Sequence, residues 1–166
     1  MRPQSPDSAI NALSEHRIIT AGLDETMDVA IVRNRLRETM ERARRNAAER
    51  RAATDRAGAD FAAFLSGTAV PLVRQIANVL KAESYSFTVF TPSGNVRLMS
   101  DKSAEDFIEI TLNTDGDAPR VVAHISSHGR RVIDEERVVG SGDPATISED
   151  ELLAFLLKAL EPFVER

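Results

Sequence analysis

Residues 24–65, DETMDVAIVRNRLRETMERARRNAAERRAATDRAGADFAAFL, decide how this chain folds. The stretch holds no proline, and its only glycine is Gly58, so nothing in it obliges a helix to end. At about 1.5 Å per residue, an unbroken helix of that span is roughly 60 Å long. A compact chain of 166 residues has a radius of gyration of about 15 Å and is roughly 40 Å across. The helix therefore has to break, or to pack against something outside a single globule, most simply a second copy of itself.

Placed at steps of about 100°, Val29, Val32, Leu36, Met40, Ala43 and Ala47, and later Phe61 and Leu65, fall in a band roughly 80° wide. The spacing of the first six runs 3, 4, 4, 3, 4. That is close to an eleven-residue repeat, which implies a nearly straight or slightly right-handed pairing. Ala43 and Ala47 are small and let a partner helix come close. Arg50, Thr54 and Gly58 weaken the stripe, so a kink or a change of partner is expected there. Asp24 is expected to cap the helix, with Glu25 and Asp28 beside the positive end of its dipole.

On the N-terminal side, residues 1–23 read as a leader. Ser5-Pro6-Asp7 opens a short helix carrying Ile10 and Leu13, and Gly22 ends it. On the C-terminal side, Ser66-Gly67-Thr68 reads as a stop. Thr68 is expected to cap a second helix with Pro71 in its first turn, Leu72, Val73, Ile76 and Leu80 on its core side, and an end near Ala82. Residues 24–82 thus form a helical arm, expected to make one structural unit with residues 83–166.

From Tyr85 the period changes to two. Tyr85 to Thr91 alternates, Pro92-Ser93-Gly94-Asn95 turns, and Val96 to Ser100 returns. Phe107 to Thr114 puts Ile108, Ile110 and Leu112 on one face. After the Asp115-Gly116-Asp117 turn, Val121, Ala123 and Ile125 continue that face. Arg130 to Val139 reads as a polar edge strand. Ser148-Glu149-Asp150-Glu151 is a capping box before Leu152, Leu153, Leu156, Leu157, Leu160 and Phe163. The fold class is α+β: a long N-terminal helix and a second helix, an antiparallel meander sheet of four to five strands, and a C-terminal helix packed on the sheet.

Composition narrows the function more than it names it. The chain has no cysteine, which excludes disulfides, thiolate catalysis and cysteine-based metal sites. No stretch reads as the ~18 apolar residues of a membrane span. The first residues lack the apolar run of a secretory signal, so a cytoplasmic location is expected, with no membrane partner. Residues 33–56 hold nine arginines against four acids, an excess of five positive charges that leaves the rest of the chain ten negative. Arginine outnumbers lysine 18 to 3 over the whole sequence, so part of this is a general bias.

Arg33, Arg37, Arg44 and Arg51 project within about 40° of one another and border the apolar stripe. Such a ridge suits phosphate contact along a nucleic acid. It equally suits a solvated face laced with pairs four residues apart, such as Glu38–Arg42, Glu41–Arg45, Arg45–Glu49 and Arg51–Asp55, each worth about 0.3–0.5 kcal/mol.

The sheet offers a second candidate. If Leu112 faces Val121, then Ile110 faces Ala123, Ile108 faces Ile125, Thr111 faces Val122 and Glu109 faces His124. Glu109 and His124 then become a carboxylate–imidazole pair able to do acid–base work or to bind a small molecule. An ordinary cross-strand polar pair explains the same spacing. Ser127 and His128 are adjacent, but chain neighbours rarely aim at each other and no orienting acid is evident, so no catalytic residue is assigned.

His16, His124 and His128 are the only histidines and show no metal-ligand spacing. Alternation sends Asp134, Glu135 and Glu136 to opposite faces, and phosphate-binding glycine motifs are missing. No metal or cofactor is implied. The leading reading is a non-catalytic, self-associating interaction or regulatory protein of unknown pathway, a homodimer paired through Val29, Val32, Leu36, Met40, Ala43 and Ala47, with a further protein partner. The alternatives are nucleic-acid binding through the arginine-rich helix, and a small-molecule binder or enzyme on the polar sheet face.

Overall fold

The computed structural model describes residues 27–165. The chain divides into two compact units, Met1–Ala47 and Ala48–Arg166. The expected leader and the residues Asp24 and Glu25 lie outside the described residues. Helix α1, Val29–Phe64, begins in the first unit and ends in the second.

In the first unit α1 starts four residues later than an Asp24 cap requires. Asp28 does the capping: its side-chain oxygen accepts the Ala30 N–H at 3.0 Å, and its carbonyl accepts the Val32 N–H at 3.1 Å. From Val29 to Asn46 every residue is exposed, and Ala47 is half-buried.

In the second unit α1 continues through Arg50, Thr54 and Gly58 as one helical segment, with no break there. Threonine and glycine cost a helix about 1 kcal/mol or less each, too little to stop a run of alanine and arginine. The change of partner comes later, at Phe61 and Phe64, the buried residues of α1, whose rings lie 6.2 Å apart.

The expected stop at Ser66-Gly67-Thr68 is not one either. Leu65–Ala69 forms a single π-helical turn, and α2, Val70–Ala82, follows with no side-chain cap. Thr68 caps nothing; the Val70 N–H bonds to the Leu65 carbonyl and the Ser66 hydroxyl back-bonds to the Ala62 carbonyl at 3.1 Å. A phase mismatch explains the turn. On a continued α-helix, Leu72, Val73, Ile76 and Ala77 would stand about 100° away from Phe61, Phe64 and Leu65. A π-turn takes in about one residue more than an α-turn, which cancels that angle and puts both sets on one side. All seven belong to one core cluster. The turn also lies just before Pro71, whose missing N–H would break a tight ladder.

Within the run Val29–Ala82, one 18-residue window is long and apolar enough to cross a membrane by length and composition alone, and a third of it is buried within the protein. The buried residues of this run, from Phe61 to Ala77, are core members.

α2 ends where expected, in a Schellman turn. Ser84 sits at φ 70°, its N–H bonds to the Lys81 carbonyl at 3.1 Å, and the Tyr85 N–H reaches the Leu80 carbonyl at 2.8 Å.

The sheet is a five-stranded antiparallel meander in chain order: β1 Phe87–Phe90, β2 Val96–Ser100, β3 Phe107–Asn113, β4 Arg120–His128 and β5 Val132–Val138. The β3–β4 register is the one derived from the Asp115–Asp117 turn, with Leu112 opposite Val121, Ile110 opposite Ala123 and Ile108 opposite Ile125. β4 is longer than its apolar pattern suggested, because Ser126 and Ser127 stay in the ladder and are buried.

α3, Glu149–Val164, opens with the expected capping box: the Glu151 N–H donates to the Ser148 hydroxyl at 3.1 Å and the Ser148 N–H to the Glu151 carboxylate at 2.9 Å. Its Leu152, Leu156, Leu160 and Phe163 join the inner-face residues Val96, Leu98, Ile108, Ile110, Val121 and Ile125 in the core. Before α3, Gly142 sits at φ 80°. A Cβ there would lie 2.9 Å from the Val138 side chain, so this turn requires glycine.

Candidate functional site

One candidate surface belongs to the first unit. Val29 is 70% exposed, Val32 48%, Leu36 58% and Met40 47%. They stand on one side of α1 with Ala43 and Ala47, at the spacing the sequence predicts. Arg33, Arg37 and Arg44, all exposed, border that side in the first unit; Arg51, also exposed, lies in the second. The expected pairs between acids and arginines four residues apart do not close. Among the described residues, the ion pairs are Arg97–Glu109 and Arg137–Glu135, His124 contacts Asp134, and none of these is on α1. Exposed pairs on a helix gain little against side-chain entropy, so the guanidinium groups stay in water.

The other candidate is the outer face of the sheet, in the second unit. With helices on the inner face, alternation sends Phe90, Arg97, Glu109, His124 and Glu136 outward in one row, and Met99, Phe107, Ser126 and Asp134 in the next. Glu109 and His124 are Cα partners, as expected, but their side chains do not pair. Arg97, directly opposite Glu109 on β2, takes the carboxylate at 2.8 Å, and Asn95 donates to its other oxygen at 3.4 Å. The His124 ring turns diagonally to Asp134 on β5, at 2.5 Å.

Phe107 links the two halves. The Arg97 guanidinium lies 4.5 Å from its ring centroid, and His124 meets it edge-on at 5.2 Å. This packing explains why Glu109 is only 9% exposed on a face that looks solvated in the sequence. Arg97 Nε is also buried there, with no hydrogen-bond partner. A cleft of about 380 Å³ opens beside the pair, walled by Phe90, Pro92 and Met99 over Asn95, Arg97 and Glu109.

A carboxylate held by Arg97 is committed to an ion pair, which argues against the proton transfer that a free Glu109–His124 pair offered. Sequence reading missed Arg97, Phe107 and Asp134. Arg97 stands opposite Glu109 through the β2–β3 register, which a different turn sets.

Ser127 and His128 point to opposite faces, as neighbours on a strand must. The His128 ring lies 3.3 Å from the Glu105 carbonyl, and its backbone N–H donates to the buried carboxylate of Asp106 at 2.6 Å. That contact, with the Ser126 hydroxyl donating to the Glu105 carbonyl at 2.7 Å, fastens the β2–β3 turn to the end of β4. On β5, Asp134 and Glu136 face outward, while Glu135 faces the other way and pairs with Arg137. Among the described residues, no group of three or more histidines and carboxylates is gathered as metal ligands.

Comparisons with protein-family models, curated proteins and solved structures find no match to this chain.

Proposed function

We propose that this is a non-catalytic interaction or regulatory protein that associates with itself through the apolar stripe of α1. One observation carries the reading: Val29, Val32, Leu36 and Met40 stand exposed in a row on a helix whose first buried residue is Phe61. Scattered exposed apolar side chains are ordinary, but a continuous stripe at helical period marks an interaction surface. Burying such side chains is worth about 25 cal/mol per Å² removed from water. A second copy presents the same stripe, and symmetric dimers are the commonest soluble assembly.

Sedimentation over a concentration series tests the reading. The expected result is a dimer mass that Leu36→Arg shifts toward monomer, because the substitution puts a charge in the seam. A parent chain that stays monomeric at high micromolar concentration overturns it.

A second reading, nucleic-acid binding by α1, is favoured by the exposure of all nine arginines between Arg33 and Arg56 and by the lack of ion pairs on them among the described residues. Its mark is affinity for duplex DNA or RNA that falls steeply with salt. No binding at low salt removes it.

A further inference from the structure

We propose that the two copies pair in parallel, with both α1 helices running in the same direction. The inference rests on the self-association reading above and adds the arrangement of the partner. It is carried by the unequal flanks of the stripe. One flank bears Arg33, Arg37 and Arg44, all exposed. The other bears Asp28, Thr39 and Asn46, with Arg35 the cation among them.

Orientation decides which flanks meet. In an antiparallel pair, like flanks face each other. Overlapping the stripe from Val29 to Ala47 on its reverse brings Arg33 beside the partner's Arg44, Arg44 beside the partner's Arg33, and Arg37 near the partner's Arg37. Ala43 and Ala47 let the axes come close, which shortens these repulsive distances. No acid stands on that flank in the overlap to relieve them.

In a parallel pair, each flank meets the opposite one, offset by about five residues. Arg33 then faces the partner's Asp28 and Arg44 the partner's Thr39, an acid and a neutral polar side chain. One Asp28 oxygen caps Ala30, and the other, which has no hydrogen bond among the described residues, can meet the partner's Arg33. The apolar seam is indifferent to direction, so the flanks select parallel pairing by penalising the alternative.

The cysteine-free chain makes the test clean. Val29→Cys and Ala47→Cys are made separately at opposite ends of the stripe, with Glu38→Cys on the far side of the helix as control, and circular dichroism checks that each variant keeps its helix. Under mild oxidation, parallel pairing converts the Val29 and Ala47 variants each to covalent dimer alone, while the Glu38 variant stays uncross-linked. Antiparallel pairing gives covalent dimer only when the two variants are mixed, and overturns the proposal. A dimeric parent chain whose variants fail to cross-link alone or mixed also overturns it. A monomeric parent chain fails the underlying self-association, which sedimentation reads separately. A further check is Asp28→Arg, expected to shift the dimer toward monomer; no shift counts against parallel pairing.

Discussion

The hydroxyl of Tyr85 donates to the backbone carbonyl of Val164 at 3.1 Å, across 79 residues of sequence. Tyr85 follows the left-handed Ser84 at the end of α2, and Val164 closes α3. One side chain thus satisfies a carbonyl that the last helical turn leaves without an internal partner. Nearby, Phe87 meets Phe163 edge-on with ring centroids 6.0 Å apart. The start of the sheet and the end of the last helix are joined by one polar and one aromatic contact.

Tyr85→Phe removes the polar contact and keeps the ring. The expected loss is about 1 kcal/mol, the usual net worth of one such hydrogen bond, read as a lower urea midpoint at unchanged slope. An unchanged midpoint means that water satisfies Val164 equally well.

Ser84 carries a side chain at φ 70°, where glycine is at ease and other residues are strained. Ser84→Gly should stabilise the protein by about 1 kcal/mol, partly offset by the greater freedom of glycine in the unfolded chain. Thermal unfolding checks this, and a destabilised variant refutes the assigned strain.

The Arg97–Glu109 pair predicts coupling. Arg97→Met leaves a carboxylate that is 9% exposed facing apolar neighbours. It should cost about 2 kcal/mol, below the full value for a buried pair because the Arg97 side chain is one-third exposed. Adding Glu109→Gln should return part of that loss. Additive losses in a double-mutant cycle would show that the two side chains do not support each other.

The sheet was readable because its information is local. One short turn, Asp115-Gly116-Asp117, sets the β3–β4 register, and period-two alternation carries it outward. The same alternation separates Glu135 from Asp134 and Glu136. The start of α3 read well for a similar reason, since Ser148 and Glu151 bond within one turn. The outer face read poorly. Alternation says which residues share a face, but the rotamers that send Glu109 to Arg97 and His124 to Asp134 depend on Phe107 two residues away. The helix start was misplaced because Asp24 and Asp28 are equally good caps by residue type. Ser66-Gly67-Thr68 misled because serine, glycine and threonine normally end helices, and only the phase of apolar residues on both sides shows that the backbone widens instead of stopping.

That widening has a consequence for how the chain tolerates change. Gly67 has nothing within 4 Å of where a Cβ would stand, so its identity is nearly free. Chain length there is not. Deleting Gly67 would let an ordinary α-helix form straight through, yet it would swing Phe61 and Phe64 by about 100° toward water. Circular dichroism would record an intact or slightly longer helix while the cooperative melt broadened or vanished. At this point the fold is written in a count of residues, and a helix made more regular makes a worse protein.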